Sequence, residues 1–266
     1  MRTVQHAPRV FLLSLVAVLT VGSLPARAGF FNERFDMNLL PPDPSTNRLT
    51  LDIDIDIGLG SDSDTTDLSG DITVATSFDL VDLVADFDEL TFTGGAVSAT
   101  DMDFNFALGL LQLDSSGVAG TPTTPLPPGA VSATTFDAAE QEILLDQGVI
   151  VASGLVNQTI DLAVEPTTAG GSGSGQFGVF GSTVNGMTAT YDVMLLLPVF
   201  SQDTTLIDTL TVTTTITGTI IATGSFAVEI PEPSAGALLV GAALPLLCRR
   251  RAPGHPVNSP LERFHP

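Results

Sequence analysis

Residues Leu49 to Ile57 read LTLDIDIDI. Leu51, Ile53, Ile55 and Ile57 share one side of an extended backbone, and Asp52, Asp54 and Asp56 share the other. Successive side chains of a strand point to opposite faces, so this alternation predicts a strand with one side in a core and the other in water. The same pattern recurs along the chain. Further strands are expected at 71–80, 89–92, 96–113, 142–145, 149–153, 158–164, 175–180, 187–199, 206–218 and 218–230. Asn185-Gly186 is a strong hairpin signal, and Asp146-Gln147-Gly148 and Gly94-Gly95 are further turn signals. Thr121 to Pro128, with four prolines, and Ala169 to Gly175 read as exposed loops. Asp137 could cap a helix over 138–145, with Glu140 completing a capping box, but a turn leading into a strand at Glu142 is preferred. Many short strands with regular turns predict an all-β fold, an antiparallel sandwich or barrel-like single domain.

Composition narrows the chemistry. The chain has no lysine or tryptophan, and its three histidines, His6, His255 and His265, lie near the ends. Cys248 is the only cysteine and Tyr191 the only tyrosine. Between Gly29 and Pro233 the bases are Arg34 and Arg48 alone, whereas every acid except Glu262 falls there, within a formal net charge of −21 for the whole chain. A Ser-His-Asp or Cys-His arrangement needs an imidazole or thiol that this stretch lacks. Zinc, copper and non-haem iron sites draw on the same side chains. No phosphate-cradling GxxxxGKS or GxGxxG loop is present. Nucleic acid is excluded as a partner, because phosphate affinity depends on Lys and Arg. Without cysteines the stretch cannot rely on disulfides.

The two ends read differently. Arg2 and Arg9 precede an apolar run from Val10 to Gly22, and Ala26-Arg27-Ala28 supplies small residues at a cleavage site. This is the pattern of a secretory signal peptide, cut after Ala28, which implies the Sec export machinery. A hydrophobic first helix of the fold is the alternative. Near the other end, Ser234 to Leu247 is a run of small and aliphatic residues. At about 1.5 Å per residue it reaches only about 21 Å, short of a roughly 30 Å hydrocarbon core. Pro231-Glu232-Pro233 precedes it and Arg249, Arg250 and Arg251 follow, the cluster fitting a cytoplasmic stop. A simple anchor and a buried core helix are the alternatives.

In the order of these parts, residues 231–251 resemble the PEP-CTERM sorting signal of Gram-negative bacteria: a Pro-Glu-Pro tripeptide, a short hydrophobic helix and an arginine cluster. Pro245 inside the apolar run and the polar tail Ala252 to Pro266 depart from the family pattern. The resemblance implies an exosortase-type processing enzyme as partner, transient residence in the inner membrane, and a producing cell that makes exopolysaccharide. The logic parallels a GPI signal, whose hydrophobic tail is removed from the mature protein. The expected organisation is then a signal peptide at 1–28, a β-rich exported domain at 29–230, a sorting or anchor segment at 231–251 and a disordered polar tail at 252–266.

Candidate sites in the body are few. Leu51 to Asp71 is the one acidic stretch with ligand-like density, and calcium takes six to eight oxygens. The EF-hand pattern fails, since counting from Asp52 the sixth position is Ile57 and the twelfth Ser63. Asp52, Asp54 and Asp56 suit the wet face of a strand, whereas Asp62, Asp64 and Asp67, in a Gly/Ser-rich stretch expected to turn, are the candidate calcium ligands. Solvated acidic surface is the competing reading. Thr209, Thr211, Thr213, Thr215, Thr217 and Thr219 share one face, an arrangement that suits solvent-facing strand positions and is also found in ice-binding or glycan-bearing surfaces. A carboxylate glycosidase needs only two acids, but the aromatic platforms of sugar subsites are missing. The expectation is an exported, non-catalytic protein of the cell surface or extracellular matrix, structural or adhesive, with exopolysaccharide as its partner. A calcium-dependent carbohydrate-binding module is the alternative.

Overall fold

The protein is described from a computed structural model covering residues 29–56, 58–207 and 210–230. In chain order its strands are β1 (Gly29–Leu39), β2 (Arg48–Ile55), β3 (Gly60–Val81), β4 (Val84–Ala99), β5 (Met102–Phe106), β6 (Leu111–Thr123), β7 (Gly129–Ser132), β8 (Thr135–Asp137), β9 (Glu142–Gly154), β10 (Gln158–Asp161), β11 (Thr167–Gly170), β12 (Ser174–Asn185), β13 (Thr188–Ile207) and β14 (Leu210–Glu229). The described chain is nearly all antiparallel β and contains no α-helix, as the alternation predicts. All fourteen strands belong to one hydrogen-bonded sheet.

Part of the sheet closes on itself, because β1 pairs both β3 and β14 and β3 pairs β4. β1 pairs β3, β3 pairs β4, and the path runs on through β7, β8, β12, β13 and β14 before β14 returns to β1, Met37 lying opposite Gly224. A ring of eight strands encloses a space that side chains can just fill. Here aromatic rings fill it. Phe78 meets Phe31, Phe87 and Phe226 at centroid separations of 5.5, 5.6 and 5.1 Å, and Phe87 meets Phe177 at 4.6 Å. Tyr191 is fully buried beside Phe226, and its hydroxyl donates to the Leu83 carbonyl at 3.1 Å. That bond ties β13 to the two-residue turn joining β3 and β4. Burial raises the phenol's pKa.

β3, β13 and β14 are 22, 20 and 20 residues long, and they run beyond this ring into a second half. There β13, β14, β2 and the first part of β3 form one wall, while β5, β6, β9 and β10 form the other. Between them lies a second apolar cluster, with Ile53 and Ile55 of β2 against Phe104 and Phe106 of β5, Leu113 of β6 and Val212 of β14. In β2 the LTLDIDI alternation is obeyed, with Ile53 and Ile55 buried and Asp52 and Asp54 exposed.

Where local reading and structure part, glycine and polar runs are the cause. The span 96–113 is not one strand: it is divided among β4, β5 and β6 by breaks at 100–101 and 107–110. Gly94-Gly95 is not a turn but a bulge inside β4, opposite Thr73 and Ile72. A Cβ on Gly95 would stand 2.4 Å from the Asp71 carbonyl, so glycine is there for close approach of backbone. Asp146-Gln147-Gly148 is likewise not a hairpin. β9 runs straight through it with a register shift against β6, and a Cβ on Gly148 would meet the Gly117 carbonyl at 2.7 Å. The spans 206–218 and 218–230 are not two strands meeting at 218: 206–207 end β13, and Leu210–Glu229 is the single strand β14. Asn185-Gly186 does make the β12–β13 hairpin, Asn185 pairing with Thr188. Asp137 caps only a 3-10 turn, Ala138–Glu140, accepting from the Ala139 N–H at 3.0 Å, and β9 follows at Glu142.

Candidate functional site

The acidic candidates Asp62, Asp64 and Asp67 lie on β3 and not in a turn. Their stretch extends because β2 pairs it on one side, Ile53 opposite Asp62 and Leu51 opposite Asp64. On the other side, no neighbouring strand supplies carbonyls at this point, and the carboxylates stand in for them. Asp62 accepts from the Ser63 N–H at 2.9 Å and from the Asn105 N–H of β5 at 2.7 Å. Asp64 repeats the pattern with Thr65 N–H at 2.7 Å and Asp103 N–H at 3.0 Å. Oδ2 of each side chain thus stitches β3 to β5 while Oδ1 takes up the next amide of β3 itself, closing one seam between the two walls. Such charge-assisted bonds to backbone amides are stronger than neutral ones.

Asp67 is engaged elsewhere, with the Arg48 guanidinium, Nε to Oδ1 at 2.6 Å and Nη2 to Oδ2 at 3.1 Å. The hydrogen bond from Arg48 lowers the Asp67 pKa below its ordinary 3.8. Its contribution to stability is present above that value and is lost as pH falls through the folded pKa. The three carboxylates do not converge on a common point. Among the described residues no group of three or more His, Cys, Asp or Glu is placed to hold a metal ion.

A further acidic pair was not singled out by the sequence. Asp103 of β5 stands directly opposite Asp114 of β6. The hydrogen bond it shares with Asp114 raises the Asp103 pKa above 3.8, with burial and the charges of Asp114, Asp64 and Asp101 adding to the effect. A raised folded pKa means that the group's contribution to stability is largest below pH 3.8 and is lost as pH rises through the folded value. Replacing Asp114 by Asn removes a like-charge cross-strand pair at neutral pH. The variant is therefore expected to melt about 1–3 °C above the parent at pH 7. The gain should vanish near pH 3, as thermal scans at the two pH values would check.

The outward face of the first wall carries a register of oxygen side chains. Across β14, β2 and β3 the rows are Thr213, Asp54, Ser61; Thr215, Asp52, Ser63; and Thr217, Thr50, Thr65. On β13, Gln202 Nε2 donates to the Thr215 hydroxyl at 3.3 Å, and the Thr204 and Thr213 hydroxyls bond at 3.3 Å. Strands about 4.8 Å apart, with same-face residues about 6.7 Å apart along each, set these groups on a lattice. Thr213, Thr215 and Thr217 of the threonine row are thus one file of a four-strand face, and Thr209 lies outside the described residues.

Between the two walls lies a cavity of about 330 Å³. Its lining is mostly aliphatic, with Leu51, Met102, Leu113, Ile150, Ile160 and Ile216 among its members. The exposed part of the lining comes mainly from β10, the loop after it, β11 and the far end of β13, including Gln158, Glu165, Thr168, Asp203 and Thr205. β11 and β13 are held together at Gly171 and Val199, and Ser172 N–H donates to the Pro198 carbonyl at 3.0 Å. Beyond that clasp, β10 ends the pairing path and β13 has only β14 beside it, so the second seam is open where the first is sewn shut. No single stretch of sequence announces this cavity, since its lining comes from β2, β5, β6, β9, β10, β11, β13 and β14.

The sequence-predicted residues of the termini, Ala26, Ala28, Pro231, Glu232, Pro233, Arg249, Arg250 and Arg251, lie outside the described residues. No described helix is long and apolar enough to cross a membrane. In comparisons with known proteins, no family model, no curated protein and no solved structure matches this chain.

Proposed function

We propose that the chain is an exported, non-catalytic β protein that acts at the cell surface or in the extracellular matrix as a structural or adhesive element against exopolysaccharide. The leader at 1–28, cut after Ala28, would deliver it, and the PEP-CTERM-like segment at 231–251 would sort it through an exosortase-type enzyme after transient residence in the inner membrane. The finer fold reading that goes with this is an antiparallel sandwich or barrel-like domain bracketed by those two signals. The observation that carries the proposal is the outward face of β13, β14, β2 and β3. Its ordered hydroxyls and carboxylates offer hydrogen-bond partners spaced for a polymer of repeating hydroxyls.

Two measurements test it. Mass spectrometry of the secreted protein should show a mature chain starting at Gly29 and ending before the arginine cluster, and a C-terminus reaching Pro266 would refute the sorting step. Retention on the producing cell's exopolysaccharide should fall at least several-fold when Thr213, Thr215 and Thr217 are all replaced by alanine. Unchanged retention would refute the adhesive face. Calcium is expected to give no saturable heat at millimolar concentration, because Asp62, Asp64 and Asp67 are engaged with amides and with Arg48. A 1:1 isotherm with a thermal shift would instead establish the calcium-dependent carbohydrate-binding module.

A further inference from the structure

The two halves of the fold treat their interiors differently. In the ring, Phe78, Phe177 and Tyr191 are fully buried, and tilted and stacked rings take up the space. In the second half, Phe104 and Phe106 pack on β5, but most of the inward positions around them hold leucine, isoleucine, valine and alanine, and about 330 Å³ is left unfilled. Protein interiors are packed like organic crystals, with few voids larger than a water molecule. A cavity of this size lies instead in the range of about 300–1,000 Å³ typical of small-molecule sites. Several inward aliphatic side chains, Leu51, Leu145, Ile150, Ile160 and Ile216 among them, keep part of their surface accessible. Apolar surface left wet in this way stands to gain about 25 cal/mol per Å² on being covered.

We propose that this cavity binds a small molecule with an apolar body and a hydrogen-bonding end that is neutral or cationic. At roughly 30 Å³ per water-sized group, it has room for on the order of ten carbon-sized groups. The polarity of the end follows from the mouth, where Glu165 and Asp203 supply carboxylates and Thr168 and Thr205 supply hydroxyls. No arginine lines the cavity. Of the two bases in the described chain, Arg48 is committed to Asp67, and Arg34 lies on β1 in the other half. A carboxylate or phosphate end would therefore meet like charge and find no partner, whereas an alcohol or amine donates to the acids. A medium-chain alcohol or amine fits both requirements. The site is distinct from the outward threonine face, so its failure would leave the adhesive reading standing.

The test is a fluorescence titration of the full chain with N-phenyl-1-naphthylamine, a neutral apolar probe, followed by displacement with decanol, decylamine or decanoate. The expected result is a saturable 1:1 rise in probe fluorescence, reversed by decanol and decylamine, with decanoate at least tenfold weaker. Ile150→Trp and Ile216→Trp each place an indole in the cavity and should weaken the probe at least tenfold, with Ile160→Phe as the milder filling change. Thermal scans confirm that each variant is folded. No saturable signal, or parental affinity in every folded filling variant, overturns the site. Equal displacement by decanoate overturns the assignment of the polar end. Binding that appears only after cleavage behind Pro233 would assign the cavity to the chain's own apolar tail and overturn the small-molecule reading.

Discussion

Phe226→Ala is expected to destabilise the protein by about 3–5 kcal/mol. Phe226 sits on β14 with its ring at 5.0 Å from Phe35, 5.1 Å from Phe78, 5.5 Å from Tyr191 and 6.2 Å from Phe87. All four separations fall within the 4.5–7 Å range in which aromatic pairs contribute beyond their buried area. Those partners come from β1, β3, β4 and β13, so one side chain joins the strand that closes the ring to four others. Removing it leaves a cavity that rigid sheets on every side cannot collapse to fill. In a domain of this size the loss corresponds to a fall in the melting midpoint on the order of 10 °C. Phe200→Ala, at an exposed position of β13, should cost under about 0.5 kcal/mol. Equal effects from the two substitutions in chemical denaturation would contradict the described packing.

Asn47→Ala is the second large effect. Asn47 has no exposed surface and a left-handed backbone, φ 52°. Its Nδ2 donates to the carbonyls of Leu40 and Ile221 at 2.7 and 2.8 Å, and its Oδ1 accepts from the Ile221 N–H at 2.7 Å. Its backbone N–H and C=O reach Thr219 and Leu68 as well. The side chain thus joins the ends of β1 and β2 to the middle of β14. Alanine would strand the Leu40 carbonyl and the Ile221 amide, leave the Ile221 carbonyl with only the Leu40 N–H, and also lose the tolerance of asparagine for positive φ. The expected cost is about 2–4 kcal/mol. Asn47→Asp should fall short of rescue, because a carboxylate cannot donate to the two carbonyls. A loss under about 1 kcal/mol for the alanine variant would refute the network.

The half of this fold that sequence makes legible is the half governed by alternation. Leu49 to Ile55, the buried positions of β14 and the Asn185-Gly186 hairpin all follow local rules. What local rules misplace is decided by neighbours. Gly94-Gly95 and Asp146-Gln147-Gly148 have turn chemistry, yet both are bulges, because the same glycines also let backbones approach closely. The stretch GSDSDTTDLSGD has the composition of a loop and becomes the first half of the longest strand, since Asp62 and Asp64 find the amides of β5 across the seam. Nothing in the neighbourhood of Asn47 signals its role, which depends on strands over 170 residues away in the chain. The density of acids around 51–71 was visible, but what those acids bind, one another's strands and Arg48, is a property of the assembled sheet.

The pairing of β1 with β14 also bears on how the molecule comes into being. Met37 and Gly224 are opposite one another, so the ring cannot shut until nearly the whole body of the chain is present. Contacts this remote in sequence make for slow folding, because the entropy of closing the intervening loop is lost before any bond rewards it. Under the export route proposed above, this delay would be useful: the leading segments would lack their last partner and stay threadable until translocation is complete.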